Sequence, residues 1–152
     1  TLSSSSAASD VYKRQVVAHG KAATVLQPGN HGSTFGGNPL AMRAGIETIR
    51  IMEEDGLLAH TTKVGDHLKA TLQKELADVK GVVDVRGQGL IIGIELNKPC
   101  GALLGRGAEA GLLFSVTADT VVRLVPPLIM TEAEADEVVA KLKPLIVQFL
   151  SE

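Results

Sequence analysis

The densest run of chemistry in the chain is His31, Gly32, Ser33, Thr34, Phe35, Gly36, Gly37, Asn38 and Pro39. Glycines let backbone N–H groups approach a ligand closely, and the Ser33 and Thr34 hydroxyls can donate to anionic oxygens. Asn38-Pro39 reads as a helix start. The Asn side chain accepts from a free first-turn N–H, and Pro suits the first helical position. The positive end of such a helix favours a phosphate or a carboxylate. Two readings stand here: an anion-binding loop, and an ordinary Gly-rich turn with an N-cap, which is the commoner fate of such a segment.

A second candidate is Arg123, set inside the apolar run of residues 121–125. Its planar fork suits bidentate pairing with a carboxylate. Period-two alternation equally allows it to point to solvent as a plain surface residue. Gly87, Gly89 and Gly93 have the wrong spacing for a dinucleotide fingerprint and no following Lys for a phosphate loop, so a tight hairpin is expected. His19, His31, His60 and His67 form no metal-ligand pair at short spacing. Cys100 has no local partner that would make it a nucleophile. Glu53-Glu54 reads as a solvated face, and Glu132 with Glu134 as a capping first turn. No self-contained catalytic constellation is present.

Composition narrows the classes. The chain has 152 residues, 15 basic and 17 acidic side chains, and a net charge of −2. That balance argues against nucleic-acid binding, and three Phe, one Tyr and no Trp argue against a stacking platform for single strands. One Cys excludes an internal disulfide framework. No apolar run is long enough to span a membrane and no secretory signal pattern opens the chain, so a soluble cytoplasmic protein is expected.

The elements that must position these residues follow from pattern. Residues 1–15 include a Ser run and little periodicity; they are expected to be a disordered or artefactual tail. A helix is expected from Pro39 to about Glu54, with Leu40, Ala44, Ile46, Ile49 and Met52 as its apolar set. Asp55-Gly56 breaks it. A second helix runs to about Asp78 on a stripe of Leu57, Val64, Leu68, Leu72 and Leu76, with Gly81 as C-terminal cap. Residues 82–86 and 90–96 read as a hairpin around a turn at 87–89, and residues 102–110 as a short helix. Strands are expected at 112–116 and 121–125. A capping box at Thr131–Glu134 opens the last helix, whose buried face is expected from Val138, Leu142, Leu145, Ile146 and Phe149. The class is α+β, with helices packed on a mainly antiparallel sheet.

Several segments, in order, resemble the class III pyridoxal-phosphate aminotransferases, and among them the acetylornithine-type branch. They are HGSTFGGNPLA at residues 31–41, GKAA at 20–23, VRGQGLIIG at 85–93, GLL at 111–113 and VRLVPPL at 122–128 before a capped helix. The resemblance covers residues 16–152. It implies the C-terminal small domain of a fold type I enzyme, with 16–38 a remnant of the large cofactor-binding domain, 39–56 a connecting helix and 57–152 the small domain. By resemblance, Thr34 binds the phosphate of pyridoxal 5'-phosphate across the interface of a homodimer, Ser33 contacts the acylated amino-acid substrate, and Arg123 pairs with a substrate carboxylate.

The chain departs from the family at one essential point. The Schiff-base lysine sits upstream of the HGSTFGGN loop, after a LAK-type stretch, and neither Lys13 nor Lys21 lies in that motif. The resemblance therefore implies a C-terminal fragment, inactive alone, of an enzyme that moves an amino group between N-acetylornithine and 2-oxoglutarate in arginine biosynthesis. The first helix would then pack on the missing domain and expose an apolar patch here. Alternatives are an ornithine, succinylornithine or 4-aminobutyrate aminotransferase, and a non-catalytic anion-binding or dimerisation module.

Overall fold

The computed structural model describes His19, Gly20, Thr24, Val25 and residues 36–152. The tail, Lys13, Lys21, Ser33 and Thr34 lie outside the described residues. The chain divides into two compact units, Thr1–Asp55 and Gly56–Glu152.

In the first unit, α1 spans Pro39–Glu54. It starts as the sequence directs: Asn38 Oδ1 accepts from the Ala41 N–H at 3.0 Å, with Pro39 in the first turn. Its apolar set does not form a buried face. Ala41 and Gly45 are buried, whereas Leu40 is 79% exposed, Ile46 58% and Ile49 40%. An amphipathic helix leaves its stripe in solvent wherever nothing packs on it.

The second unit contains α2 (Leu57–Leu76), β1 (Val82–Gln88), β2 (Ile91–Leu96), α3 (Leu103–Glu109), β3 (Ser115–Thr117), β4 (Val121–Leu124) and α4 (Glu132–Ser151). The strands form one sheet in the order β1-β2-β4-β3, and each neighbouring pair is antiparallel. Val85, Ile92, Ile94, Val122 and Leu124 point into the core. There they meet the α2 stripe Val64, Leu68, Leu72 and Leu76 and, from α4, Ala135, Val139, Leu142, Ile146 and Phe149. Burial of each large aliphatic side chain contributes about 1.5–3 kcal/mol, so this cluster holds the unit together.

Side-chain pairs link α2 to α4 in ascending register: Lys63 with Glu132, His67 with Asp136, and Glu75 with Lys143. The two helices therefore run parallel, side by side. Thr131 caps α4 in a full capping box with Glu134.

Several element bounds and the buried face of α4 differ from the sequence expectation. Helix α2 ends at Leu76, and Ala77 caps it in a right-handed conformation. Gly81, with φ +101°, instead shapes the entry to β1, where its carbonyl accepts from the Asn97 N–H at 2.8 Å. Strand β1 runs through Gly87-Gln88, because both continue the ladder with β2, so the turn is Gly89-Leu90. Residues 112–114 are not paired, and β3 is only Ser115–Thr117. On α4 the buried positions include Ala135 and Val139, while Val138 and Leu145 are half-buried at the edge. Pro144 sits inside α4 on its exposed side, where the carbonyl left without a partner can face water.

One backbone contact sets the spacing of helix and hairpin. A Cβ on Gly65 of α2 would stand 2.2 Å from the Gly89 carbonyl oxygen. Gly89 itself has φ +53°, a conformation that suits glycine. Neither backbone can retreat without moving a secondary element. Gly65→Ala should therefore destabilise the chain by about 1–3 kcal/mol or more, as overpacking does. Gly105→Ala, in α3 where an added Cβ meets nothing within 4 Å, should be neutral or stabilise by about 0.5–1 kcal/mol. Urea unfolding midpoints of the two variants check this contrast.

Three carboxylates give the unit an acid limit. The Thr131 backbone N–H and hydroxyl hold Glu134 below the usual carboxylate range. Hydrogen bonds from Lys143 do the same for Glu75, and those from Arg106 for Glu152. A carboxylate whose pKa is lower folded than unfolded stabilises the fold above its unfolded value. That contribution is lost as pH falls through the folded value. Thermal stability should fall between about pH 5 and pH 3. Glu134→Gln, which keeps the cap without titrating there, should lose less over the same range in a pH series of melting curves.

Candidate carboxylate-binding face

The face of the sheet away from α2 and α4 carries the charged residues Asp84, Arg86, Glu95 and Arg123 beside the aliphatic Ile91 and Val121. Along β4, Val122 and Leu124 are core residues, so Arg123 between them points to the opposite face and is exposed. Strand register places Arg86, Gly93, Arg123 and Ser115 side by side across four strands. Residues directly opposite in an antiparallel pair share a face.

The two arginines in this row differ in their partners. Arg86 bonds to both Asp84 and Glu95, which push its pKa above the ordinary value. The Arg123 Nε–H donates to Ser115 Oγ at 3.0 Å. Among the described residues no carboxylate pairs with Arg123. On its other flank is Gly93, which has no side chain, and an added Cβ there would press on Val121 Cγ1 at 3.2 Å. The arrangement presents a cationic fork on an open face with its Nη donors available.

The remaining candidates have structural partners. His60 Nε2 donates to the Met130 carbonyl at 2.8 Å, and His67 Nε2 bonds Asp136 Oδ1 at 2.7 Å. Both tie α2 to the start of α4. Among the described residues no group of three His, Cys, Asp or Glu is placed to hold a metal. Cys100 is buried, and burial pushes its thiol pKa up, which disfavours the nucleophilic thiolate. Glu53 and Glu54 are exposed on α1, as expected. Among the described residues no helix is long and apolar enough to cross a membrane.

Two grooves lie away from Arg123. One of about 300 Å³ is bounded by Pro127, Ile129 and Met130 and by the α4 residues Glu134, Glu137 and Lys141. The other, of about 240 Å³, has apolar walls from Leu112, Leu124, Pro126 and Met130. The titratable groups of the first are already engaged, Glu134 by Thr131 and Glu137 by Lys141 at 2.7 Å, and the second has no titratable group in its walls. Of the anion loop, only Gly36, Gly37 and Asn38 are described. Gly37 has φ +75° with open space about it, and Asn38 fixes the helix start that follows.

A family model described as aminotransferase class-III matches residues 9–146. The chain belongs to the class-III aminotransferase family. The match begins inside the segment whose composition differs from the rest. Acetylornithine aminotransferase 1 of Bordetella bronchiseptica is 55% identical over 137 residues, which are 90% of this chain and 35% of that protein. Ornithine aminotransferase of Bacillus subtilis is 39% identical, over 80% of this chain and 30% of that protein. Among solved structures, the ornithine δ-aminotransferase of Plasmodium falciparum superposes with a TM-score of 0.76 at 34% identity, covering 86% of this chain and 34% of that one. The acetylornithine aminotransferase of Elizabethkingia anophelis gives 0.71 at 32% identity, covering 84% and 35%. This class-III aminotransferase chain thus spans about a third of the length of the relatives it matches, and its α+β architecture is that of part of such an enzyme.

Sequence reasoning singled out Arg123 as a candidate but neither Ser115 nor the Arg86–Asp84–Glu95 cluster. The signal was present in the alternation of the strands, but reading it required the register. Arg123 has no structural ion pair to lose. Arg123→Ala should therefore change the unfolding free energy by less than about 0.5 kcal/mol, measured by urea denaturation.

Proposed function

We propose that this chain is the C-terminal part of a pyridoxal-phosphate enzyme that transfers an amino group between N-acetylornithine and 2-oxoglutarate. The observation that carries the reading is Arg123. A cation on an open sheet face, with no acid of its own, suits a substrate carboxylate. The similarity to acetylornithine aminotransferases at 55% identity supports the acylated substrate.

The donor set of the loop fits a phosphate. Ser33 and Thr34 supply hydroxyls immediately before the glycines and the helix start that Asn38 caps. In this reading Thr34 donates to the cofactor phosphate of the neighbouring subunit in a homodimer. Ser33 contacts the acylated amino acid, and Arg123 holds its carboxylate. Bound pyridoxal phosphate supplies the electron sink that amino transfer requires. The lysine that would carry it is not among the motifs of this chain, so this segment alone does not complete the reaction. Balanced charge and a lone buried cysteine suit a cytoplasmic enzyme of amino-acid biosynthesis.

An ornithine-type substrate is the second reading, favoured by relatives such as that of Bacillus subtilis at 39% identity. In the full-length enzyme that carries this segment, kcat/KM on N-acetylornithine should exceed that on ornithine; the reverse order would replace the first reading by the second. Thr34→Ala should weaken cofactor affinity by about 1.5–3 kcal/mol, the range for a hydrogen bond to a charged group. Unchanged affinity in equilibrium titration would remove Thr34 from the phosphate site.

A further inference from the structure

We infer that Ser115 is a positioning residue for Arg123, holding its guanidinium so that a ligand carboxylate is met by the Nη1/Nη2 edge. This rests on Arg123 being the carboxylate site. An arginine can grip a carboxylate in two ways, through Nε with one Nη or end-on through both Nη atoms. The bond from Nε–H to Ser115 Oγ at 3.0 Å occupies the first edge and leaves the second. Arginine carries a large rotamer entropy, so a side chain already held in place loses less on binding.

The surroundings make Ser115 the support available to it. Gly93, on the opposite flank, has no side chain to offer. The acids of the same face, Asp84 and Glu95, are engaged by Arg86. Ser115 faces Arg123 directly in the β3–β4 register. The connection that fixes this register holds Ala118 at φ +49° and Asp119 at φ +60°. The chemistry of the support also matters. A hydroxyl accepts the Nε–H without neutralising the guanidinium, so the full positive charge remains for the ligand. A carboxylate at position 115 would hold the arginine more firmly and compete with the substrate.

The test uses the full-length enzyme that carries this segment, with Ser115→Ala, Ser115→Thr, Ser115→Asp and, as reference, Arg123→Ala. Ser115→Ala should raise KM for the amino-acid substrate about three- to tenfold, with kcat within about twofold and an unchanged unfolding midpoint. Ser115→Thr, which keeps the hydroxyl in a residue suited to strands, should restore KM. Ser115→Asp should raise KM at least as much as Ser115→Ala. Calorimetric affinity for glutarate, an unreactive dicarboxylate probe, should follow the same order. If Arg123→Ala raises KM strongly while Ser115→Ala leaves it unchanged, the positioning role is wrong and the carboxylate site stands. If Arg123→Ala itself leaves KM and glutarate affinity unchanged, the carboxylate site is wrong. A Ser115→Ala enzyme that is merely less stable, with KM unchanged, also overturns the positioning role, and the Thr and Asp variants decide the matter should the Ala variant not fold.

Discussion

The alternation of side chains along β4 is the constraint from which the candidate site follows. Val122 and Leu124 are buried against Ile92, Ile94 and the α2 stripe. Each contributes about 1.5–3 kcal/mol by burial, whereas an exposed ion pair contributes about 0–1 kcal/mol. The core therefore decides which way the strand faces, and Arg123 must point outward. A flip of the strand would bury a guanidinium and expose two aliphatic side chains. The position of the one cation without an acidic partner in its row is thus a consequence of packing on the other side of the sheet.

That packing depends on how closely α2 approaches the β1–β2 hairpin. Gly65 and Gly89 bring backbone to backbone, and the α2 stripe then reaches Val85 and Ile92. The parallel arrangement of α2 and α4 closes the same core, with His60, Lys63, His67 and Glu75 bridging to α4 or the residues before it. These bridges are mostly exposed and add little individually. Their effect is to fix register, while the aliphatic residues supply the energy. The open face of the sheet carries Arg86, Glu95, Arg123 and Ser115 together with the aliphatic Ile91 and Val121, a mixture suited to a surface that meets solvent, a ligand or another part of a longer enzyme.

Much of this was legible in the sequence. The α2 stripe from Val64 to Leu76, the N-cap at Asn38, the capping box at Thr131 and Glu134, and the antiparallel hairpin all follow from local pattern and appear in the structure, while Leu57 at the start of the stripe is only half-buried. The pairing of Ser115 with Arg123 did not follow. With strands read as 112–116 and 121–125, the nearest pairing sets residue 116 opposite 121, which would place Ser115 across from Val122. The observed ladder pairs Thr117 with Val121. A shift of one residue changes the face that a side chain shares, and a three-residue connection held by Ala118 and Asp119 in the left-handed region carries no glycine to announce it. The apolar pattern of α1 was legible as a helix but not as a buried face, because periodicity states which residues want burial and not what covers them. For Ser33 and Thr34 the reading rests on the hydroxyl chemistry of the loop together with the family resemblance.

The family assignment gives this geometry its meaning. In the proposed reading, Arg123, held by the neutral Ser115 hydroxyl, receives an amino-acid carboxylate and releases it again. The most direct measurement is a crystal structure of the full-length enzyme with an amino-acid substrate or unreactive analogue bound. A carboxylate is expected at about 2.7–2.9 Å from the Nη atoms of Arg123, with Nε still on Ser115. A carboxylate held entirely by other residues, with Arg123 turned to an acid of the protein, would contradict this expectation.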